Sequence, residues 1–254
     1  MKKVLICGFG VIGKDIYDEL KCNQIQISVY DKNLSESEHK IDEHYDFAFI
    51  SVPTDNIDNR IDLSNIYDVS EKIDADIIVV RSTVIPGTVD DLKKRYNKRF
   101  VFSPEFTGAT QHVNNDKSFI ILGGNRKDTS EVAQLYELKY NGYLKVYQCE
   151  AKEAEMCKYM ENSMLAAKVL FCGYFRKACD SLDIDYEMVR NLLLCDKRFS
   201  PSHTITYTGN LGYDSHCFNK DLPAISNMKG IDEDFHNFME NIIYFNSILR
   251  KDSE

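Results

Sequence analysis

Cys217 is the side chain in this 254-residue sequence whose type and setting most suggest chemistry. It lies in the polar run Gly212-Tyr-Asp-Ser-His-Cys-Phe-Asn-Lys-Asp221, four residues before the Asp221 carboxylate. A thiol nucleophile with a nearby carboxylate is what the covalent oxidation of an aldehyde requires. We predict that the run up to His216 is a loop and that Cys217, which follows it, is the reactive group. His216 could activate the thiol, although a histidine in a loop is more often incidental.

A glycine-rich fingerprint near the N-terminus, Gly8-Phe-Gly-Val-Ile-Gly13, fits the pattern G-x-G-x-x-G. It follows an apolar run and opens a helical pattern, the context in which helix amides face a pyrophosphate. The sequence therefore predicts NAD as the cofactor, bound by these turn residues: Gly8, Gly10, Val11, Ile12 and Gly13. Asp31 ends the second predicted strand, where a carboxylate accepts ribose hydroxyls and repels a 2′-phosphate, which favours NAD over NADP. The alternative is a doubly wound domain whose glycines serve only packing.

The composition, with 43% hydrophobic and 28% charged residues, is typical of a globular protein. No apolar run approaches the roughly 18 residues that span a bilayer, and the N-terminal apolar run is too short for a signal peptide. We therefore predict a cytoplasmic protein without membrane contact. The net charge of −9 is spread along the chain, which argues against nucleic acid as a partner. The eight cysteines form no CxxC pair and the histidines show no ligand spacing, so neither disulfides nor a metal is expected.

Apolar runs alternate with helical patterns up to residue 150, which predicts an α/β fold with a doubly wound, mostly parallel Rossmann-type sheet. Residues 1–150 are predicted to form an NAD-binding domain, and residues 151–254 a smaller helical domain with a long central helix. The stretch Lys32–Tyr45 is short for a crossover helix and its loops, so one half of the sheet should be reduced. The predicted strands are Lys3–Cys7, Gln26–Tyr30, Asp46–Val52, Asp76–Val80, Phe100–Phe102, Phe119–Leu122 and Leu144–Tyr147. The predicted helices are Val11–Cys22, Leu63–Ile73, Gly87–Tyr96, Thr129–Tyr140, Ala151–Leu182, Tyr186–Leu194, Asp221–Met228 and Asp234–Leu249.

Three further loops lie where strands should end, and ligands of open α/β sheets bind at that edge. They are Ser51-Val-Pro-Thr-Asp55, Arg81-Ser-Thr-Val-Ile-Pro-Gly-Thr88 and Phe102-Ser-Pro-Glu-Phe-Thr107. Together with Ala154-Glu-Met-Cys-Lys-Tyr-Met-Glu-Asn162 and Cys217-Phe-Asn-Lys-Asp221, they resemble the UDP-glucose/GDP-mannose dehydrogenase family in order and rough spacing over nearly the whole chain.

The resemblance implies that the C6 alcohol of a nucleotide sugar is oxidised to a carboxylate with two NAD⁺. Cys217 matches the family nucleophile, which passes through a thiohemiacetal and a thioester. Lys158 and Asn162 match the pair that stabilises the oxyanion, and their i, i+4 spacing places both on one face of a helix. Asp221 matches the carboxylate that assists proton transfer and positions water.

The resemblance also implies roles for residues of the strand-end loops. Glu105 matches an acidic residue near the sugar, and Thr83 a hydroxyl beside the catalytic water that also contacts the cofactor. Val52 and Pro53 are taken as cofactor contacts, and Lys220 matches a basic residue that reaches the cofactor.

The match to the family fails at several positions. Asp214 and Ser215 replace two adjacent family glycines, Ala109 replaces a second acidic residue, and Asn219 replaces a proline. We also expect the chain to be a short form without the family's C-terminal nucleotide-sugar domain. Substrate recognition should therefore differ, through another sugar or through a partner chain that completes the site.

Two other functions remain open from the sequence. One is a two-electron hydroxy-acid-type dehydrogenase in which Cys217 is idle, and the other is a non-catalytic NAD-binding protein. The helix Ala151–Leu182 resembles the family's central helix, which pairs subunits, so a homodimer is expected. Its Met-rich stripe could equally belong to an intramolecular core.

Overall fold

The computed structural model describes residues 1–34, 41, 43–106, 118–207 and 209–251. The strands within these residues are β1 (Lys2–Cys7), β2 (Ile25–Tyr30), β3 (His44–Ile50), β4 (Asn56–Ile57), β5 (Arg60–Ile61), β6 (Asp74–Val80), β7 (Phe100–Phe102), β8 (Phe119–Gly123) and β9 (Lys145–Cys149). The helices are α1 (Val11–Leu20), α2 (Ser64–Lys72), α3 (Thr88–Tyr96), α4 (Arg126–Tyr140), α5 (Ala151–Ser181), α6 (Tyr186–Leu193), α7 (His216–Ser226) and α8 (Glu233–Lys251).

The main sheet has seven strands in the order β2-β1-β3-β6-β7-β8-β9. The strands from β2 through β7 pair in parallel. The β7–β8 pair is antiparallel and the β8–β9 pair is parallel, so the last two strands run in the opposite direction. The predicted mostly parallel sheet is confirmed, and so is its reduced half, since among the described strands only β2 lies beyond β1 on that side.

The two faces of this sheet are buried in separate cores. Leu5 and Cys7 of β1 belong to the core that also holds residues of α2, α3 and the start of α5. Val4 and Ile6, which alternate with them, belong to the core formed with α1 and α4. Successive side chains of a strand point to opposite faces, so strands covered by helices on both faces must be continuously apolar. This explains why the strands were recognisable as short apolar runs.

The strand register brings the functional loops to one edge of the sheet. Cys7 lies opposite both Tyr30 of β2 and Ile50 of β3, and Ile50 in turn lies opposite Val80 of β6. The residues that follow these strands therefore begin at the same level. Strand order reverses at β1, and such a reversal opens a crevice for ligands.

The prediction for the segment around Cys217 is wrong. Instead of a loop through His216 and a helix from Asp221, α7 begins at His216. Ser215 caps this helix, since its Oγ accepts a hydrogen bond from the Phe218 amide at 3.1 Å. The polar residues that suggested a loop include the exposed positions of the first helical turn. Two smaller differences are the shift of the third strand to His44–Ile50 and the unpredicted β4–β5 pair.

The chain divides into two compact units. The first contains the large sheet and extends to Lys158, and the second contains the residues from Tyr159 onward. The domain boundary predicted near residue 150 lies just before α5, whereas the division falls within that helix. None of the helices in the described ranges is long and apolar enough to cross a membrane.

Candidate functional site

Two of the glycines in the fingerprint are required by the protein's own backbone. Gly8 has a φ of +88°, and a Cβ on it would lie 2.5 Å from the carbonyl oxygen of Ser51. A Cβ on Gly13 would collide with the carbonyl oxygen of Gly8. Gly10 differs, because a Cβ there would meet nothing within 4 Å. Packing therefore explains Gly8 and Gly13 but not Gly10, whose open surface suits the close approach of a pyrophosphate.

The N-terminus of α1 and Asp31 complete the predicted cofactor turn. Gly10 is the N-cap of α1, no side chain of the described residues caps this helix, and Val11 is 74% exposed. Asp31 lies directly against the turn, because its Oδ2 accepts a hydrogen bond from the Phe9 amide at 2.7 Å. The structure thus places the carboxylate next to the fingerprint, as ribose binding requires.

Side-chain hydrogen bonds join the loops after β3 and β6. Ser82 Oγ donates to the carbonyl oxygen of Val52 at 2.6 Å. Thr54 Oγ1 donates to the carbonyl oxygen of Thr83 at 2.9 Å. The structure thus brings together the predicted cofactor contacts Val52, Pro53 and Thr83.

Glu105 belongs to a buried ionic cluster built around Arg81. One Arg81 nitrogen, Nη2, contacts the Glu105 carboxylate, while Nη1 lies 3.1 Å from the Tyr136 hydroxyl and 3.5 Å from Glu19 Oε2. Burial disfavours the charge of Arg81, but attraction to Glu19 and Tyr136 outweighs this and raises its pKa. Burial also disfavours the charged form of Tyr136, and for this phenol that effect raises the pKa well above its usual range. Because it is paired with a buried cation, the Glu105 carboxylate is held in one orientation as a hydrogen-bond acceptor.

Glu155 holds the loop that carries Thr83 from the other end. Its two carboxylate oxygens accept hydrogen bonds from the Gly87 amide at 2.5 Å and the Val89 amide at 2.9 Å. Both amides belong to the N-terminus of α3, so a residue of α5 caps that helix. Burial raises the pKa of Glu155 to about 7, against the opposing effect of the two amides.

Lys158 and Asn162 lie one turn apart on α5, as their spacing predicts. In the first unit, the Lys158 ammonium lies 5.3 Å from the centre of the Phe106 ring. In the second unit, Asn162 is buried, and its Nδ2 donates to Asp221 Oδ2 at 2.6 Å. Lys220 Nζ lies 2.5 Å from the other oxygen of Asp221. Asn162, Asp221 and Lys220 therefore form one buried polar cluster, in which both oxygens of the carboxylate are engaged.

Cys217 is the second residue of α7 and is an exposed, free thiol. Asp221 follows it by one turn on the same helix. The unpaired amides at a helix N-terminus favour negative charge in their neighbourhood, and the Cys217 side chain lies in that first turn. His216, beside the thiol, is also exposed.

The residues that depart from the family pattern near Cys217 all have partners. Asp214 Oδ2 lies 2.9 Å from Arg250 Nη2 of α8, and Asp214 Oδ1 accepts a hydrogen bond from Asn219 Nδ2 at 3.0 Å. Ser215 is the N-cap of α7. These side chains hold the segment that the family builds with glycines. Ala109, the fourth departure, lies outside the described residues.

All eight cysteines are free thiols. Within the described residues, no group of three or more His, Cys, Asp or Glu side chains is placed to hold a metal ion.

Comparison with known proteins decides the family. Residues 7–139 match the NAD binding domain of the UDP-glucose/GDP-mannose dehydrogenase family, and residues 152–247 match its central domain. The chain belongs to this family. The match confirms the predicted cofactor, NAD, because the fingerprint turn and the strands from β2 through β8 fall within the family's NAD binding domain.

Among individual relatives of this dehydrogenase-family chain, the UDP-glucose 6-dehydrogenase of Pseudomonas aeruginosa is 30% identical over 198 residues, which cover 70% of this chain and 43% of the relative. The UDP-N-acetyl-D-mannosamine dehydrogenase of Methanocaldococcus jannaschii is 28% identical over 211 residues, which cover 71% of this chain and 48% of the relative. A UDP-glucose dehydrogenase structure from Pyrobaculum islandicum has the same fold, with a TM-score of 0.80 at 20% identity, covering 98% of this chain and 68% of that one. The chain spans about half the length of the curated relatives it matches.

Three residues with clear structural roles were not identified from the sequence. Arg81 was seen as part of a loop but without a role, although a charged residue directly after a buried strand is a usable signal. Glu155 of α5 and Asn246 of α8 have no sequence pattern that reveals their roles, because their hydrogen-bond partners are distant along the chain.

Proposed function

We propose that this chain takes part in the NAD-dependent oxidation of the C6 alcohol of a nucleotide sugar to a carboxylate. The observation that carries the proposal is the arrangement on α7, where exposed Cys217 begins the helix and buried Asp221 follows one turn later. Asn162 of α5 is hydrogen-bonded to that carboxylate. The membership of residues 7–139 in an NAD binding domain supports the redox half of the proposal.

In the proposed reaction, NAD⁺ held by the fingerprint turn and Asp31 would supply the hydride acceptor for each of the two oxidations. Asp221 takes up the hydroxyl proton that the alcohol loses in the first oxidation and passes it to water. The Cys217 thiolate adds to the aldehyde carbon, and the new C–S bond gives a thiohemiacetal whose oxygen accepts a hydrogen bond from Asn162. The matching role of Lys158 stays a prediction. Loss of the second hydride leaves a thioester. Asp221 accepts a proton from the attacking water, and the C–S bond breaks to release the carboxylate and the thiolate.

We propose a UDP-hexose as the substrate class. Support comes from the similarity to a UDP-glucose 6-dehydrogenase and to a UDP-N-acetyl-D-mannosamine dehydrogenase. The roles of Glu105 and Thr83 near the sugar stay predictions, and so do the cytoplasmic location and a partner chain that completes the site.

We propose a homodimer formed through α5. Four large apolar side chains on this helix are exposed at helical spacing, and a stripe of this kind is typical of an interface. They are Met160, Met164, Phe171 and Phe175. Analytical ultracentrifugation tests the proposal, and a single 29.3 kDa species at all concentrations would contradict it.

The first test of function is NADH formation with a panel of UDP-sugars, GDP-sugars and free sugars. Wild type is compared with Cys217→Ser and with Cys195→Ser, which removes the other exposed cysteine. Two NADH per product in wild type and Cys195→Ser, lost in Cys217→Ser, would support the thioester route. One NADH per product with no effect of Cys217→Ser would indicate a two-electron dehydrogenase. NAD binding without turnover across the panel would indicate a non-catalytic protein.

A further inference from the structure

The segment Asn210–Asp214, which leads into α7, is held by side chains of α8. Asn246 makes the closest contact. Its Oδ1 accepts a hydrogen bond from the Tyr213 amide at 2.8 Å, and its Nδ2 donates to the Tyr213 carbonyl oxygen at 3.1 Å. Asn246 is only 6% exposed. One side-chain amide thus satisfies both backbone groups of Tyr213, much as a neighbouring strand would.

Gly212 allows this contact. A Cβ on Gly212 would lie 2.5 Å from Asn246 Oδ1 and 2.9 Å from Arg250 Cγ. Any other residue at this position would therefore displace the Asn246 and Arg250 side chains or the segment itself. The backbone before Cys217 is fitted closely to this helix.

Arg250, one turn after Asn246 on α8, holds both ends of the same segment. Its Nη1 donates to Asn210 Oδ1 at 2.9 Å, and its Nη2 lies 2.9 Å from Asp214 Oδ2. Asp214 is directly followed by the cap residue of α7. The Tyr213 ring also packs edge-on against Phe218, with ring centres 5.7 Å apart.

These contacts connect α8 to the backbone that leads into the first turn of α7. Asn246 sets the position of Tyr213, Tyr213 and Asp214 lead into the Ser215 cap, and Cys217 follows two residues later. Because the sulfur sits in the first helical turn, a shift of the preceding backbone moves it directly. We propose that Asn246 is a positioning residue for the Cys217 thiol and that Arg250 reinforces it. This inference rests on the proposed role of Cys217 as the nucleophile.

The variant Asn246→Asp tests the inference with little change in shape. The new carboxylate can still accept from the Tyr213 amide, but it can no longer donate to the Tyr213 carbonyl and is repelled by it. The matched control is Asn241→Asp on the exposed face of α8, where the side-chain amide donates to the Asn237 carbonyl oxygen of the same helix. Both variants are made in the Cys195→Ser background, so that Cys217 is the exposed thiol that reacts.

Two readouts are measured on the full chain. The first is the rate of Cys217 alkylation by iodoacetamide at pH 7, with the modified residue identified by mass spectrometry. The second is kcat and KM for the sugar that is turned over in the panel. For Asn246→Asp we expect kcat to fall about tenfold or more, since small misplacements of reacting groups cost at least that much. We expect the alkylation rate to differ from the parent's beyond the spread of the control variant, because the surroundings of the sulfur change with the backbone before it. In Asn246→Asp, the KM for NAD⁺ should stay within about twofold of the parent's value. In Asn241→Asp, the alkylation rate and kcat should also stay within about twofold of the parent's values.

An alkylation rate and kcat equal to the parent's in Asn246→Asp would overturn the inference. Loss of activity that follows only a lowered melting temperature, with normal alkylation of the folded fraction, would also overturn it. Alkylation needs no turnover, so this arm still decides if no sugar of the panel is oxidised. In that case the proposed function fails, while the positioning of the thiol is tested independently.

Discussion

Replacement of Glu155 should change how the stability of this chain depends on pH. Its buried carboxyl has a pKa of about 7, compared with 4.5 for an unperturbed glutamate. Because the raised pKa means that the folded state holds the proton more tightly, the unfolded state has the lower proton occupancy between these two values. The free energy of unfolding must therefore fall as pH rises through this window.

The magnitude follows from the same two values. At roughly 1.4 kcal/mol per pH unit, the contribution of Glu155 amounts to about 3 kcal/mol between pH 4.5 and 7. Glu155→Gln has no titrating group at this position, so its own contribution is constant. It carries a fixed cost of about 1–3 kcal/mol, because the amide oxygen accepts only one of the two α3 amides and the NH₂ group faces the other.

The assay is urea unfolding of wild type and Glu155→Gln at intervals between pH 4.5 and 8. Other titrating groups cancel in the difference, which isolates Glu155. The free energy of unfolding of wild type relative to the variant should fall by about 3 kcal/mol up to pH 7 and then level off. A difference that stays constant, or that rises with pH, would refute the reasoning. A rise would mean that the Gly87 and Val89 amides outweigh burial and favour the ionised carboxylate.

Three further predictions concern the cofactor turn, the buried ionic cluster and the thiol helix. Gly10→Ala should weaken NAD binding, measured by calorimetry, without lowering the melting temperature, whereas Gly13→Ala should lower the melting temperature through its clash with the backbone. Arg81→Met should lower the free energy of unfolding by about 3–5 kcal/mol in denaturant titrations, because Glu105 is left near the interior without its cation. Ser215→Ala should cost about 1 kcal/mol in the same assay through loss of the α7 cap, and slow Cys217 alkylation.

Most of the α/β unit could be predicted from the sequence for a simple physical reason. Strands buried on both faces need continuous apolar residues, and β6 and β7 stand out in this way between polar segments. The β4–β5 pair was missed because two-residue strands are too short to show a pattern. Its turn residues, Asp58 and Asn59, have φ values of 51° and 62° and belong to the types that favour such turns.

The start of α7 was misplaced although its signal was present. Ser215 is a favourable N-cap residue, but the polar neighbours of Cys217 suggested a loop. Exposed residues of a first helical turn and residues of a loop have the same composition. Two hydrogen bonds distinguish the helix from a loop: the Phe218 amide donates to Ser215 Oγ, and the Asn219 amide donates to the Ser215 carbonyl oxygen.

The sequence by itself identified the groups that we propose for chemistry: the fingerprint glycines, Asp31, Cys217, Asp221 and the i, i+4 pair Lys158 and Asn162. Local spacing suffices for the fingerprint and for the pairs on α5 and α7, because a turn or a single helix places such residues together. Asp31 reaches the fingerprint through the pairing of β1 with β2. The tertiary structure alone decided which side chains hold the candidate site in place. Arg81 pairs with Glu105, Asn162 with Asp221, and Asn246 with Tyr213. These partners are 24, 59 and 33 residues apart. Pairings of that range depend on how helices and strands pack, which no local pattern encodes.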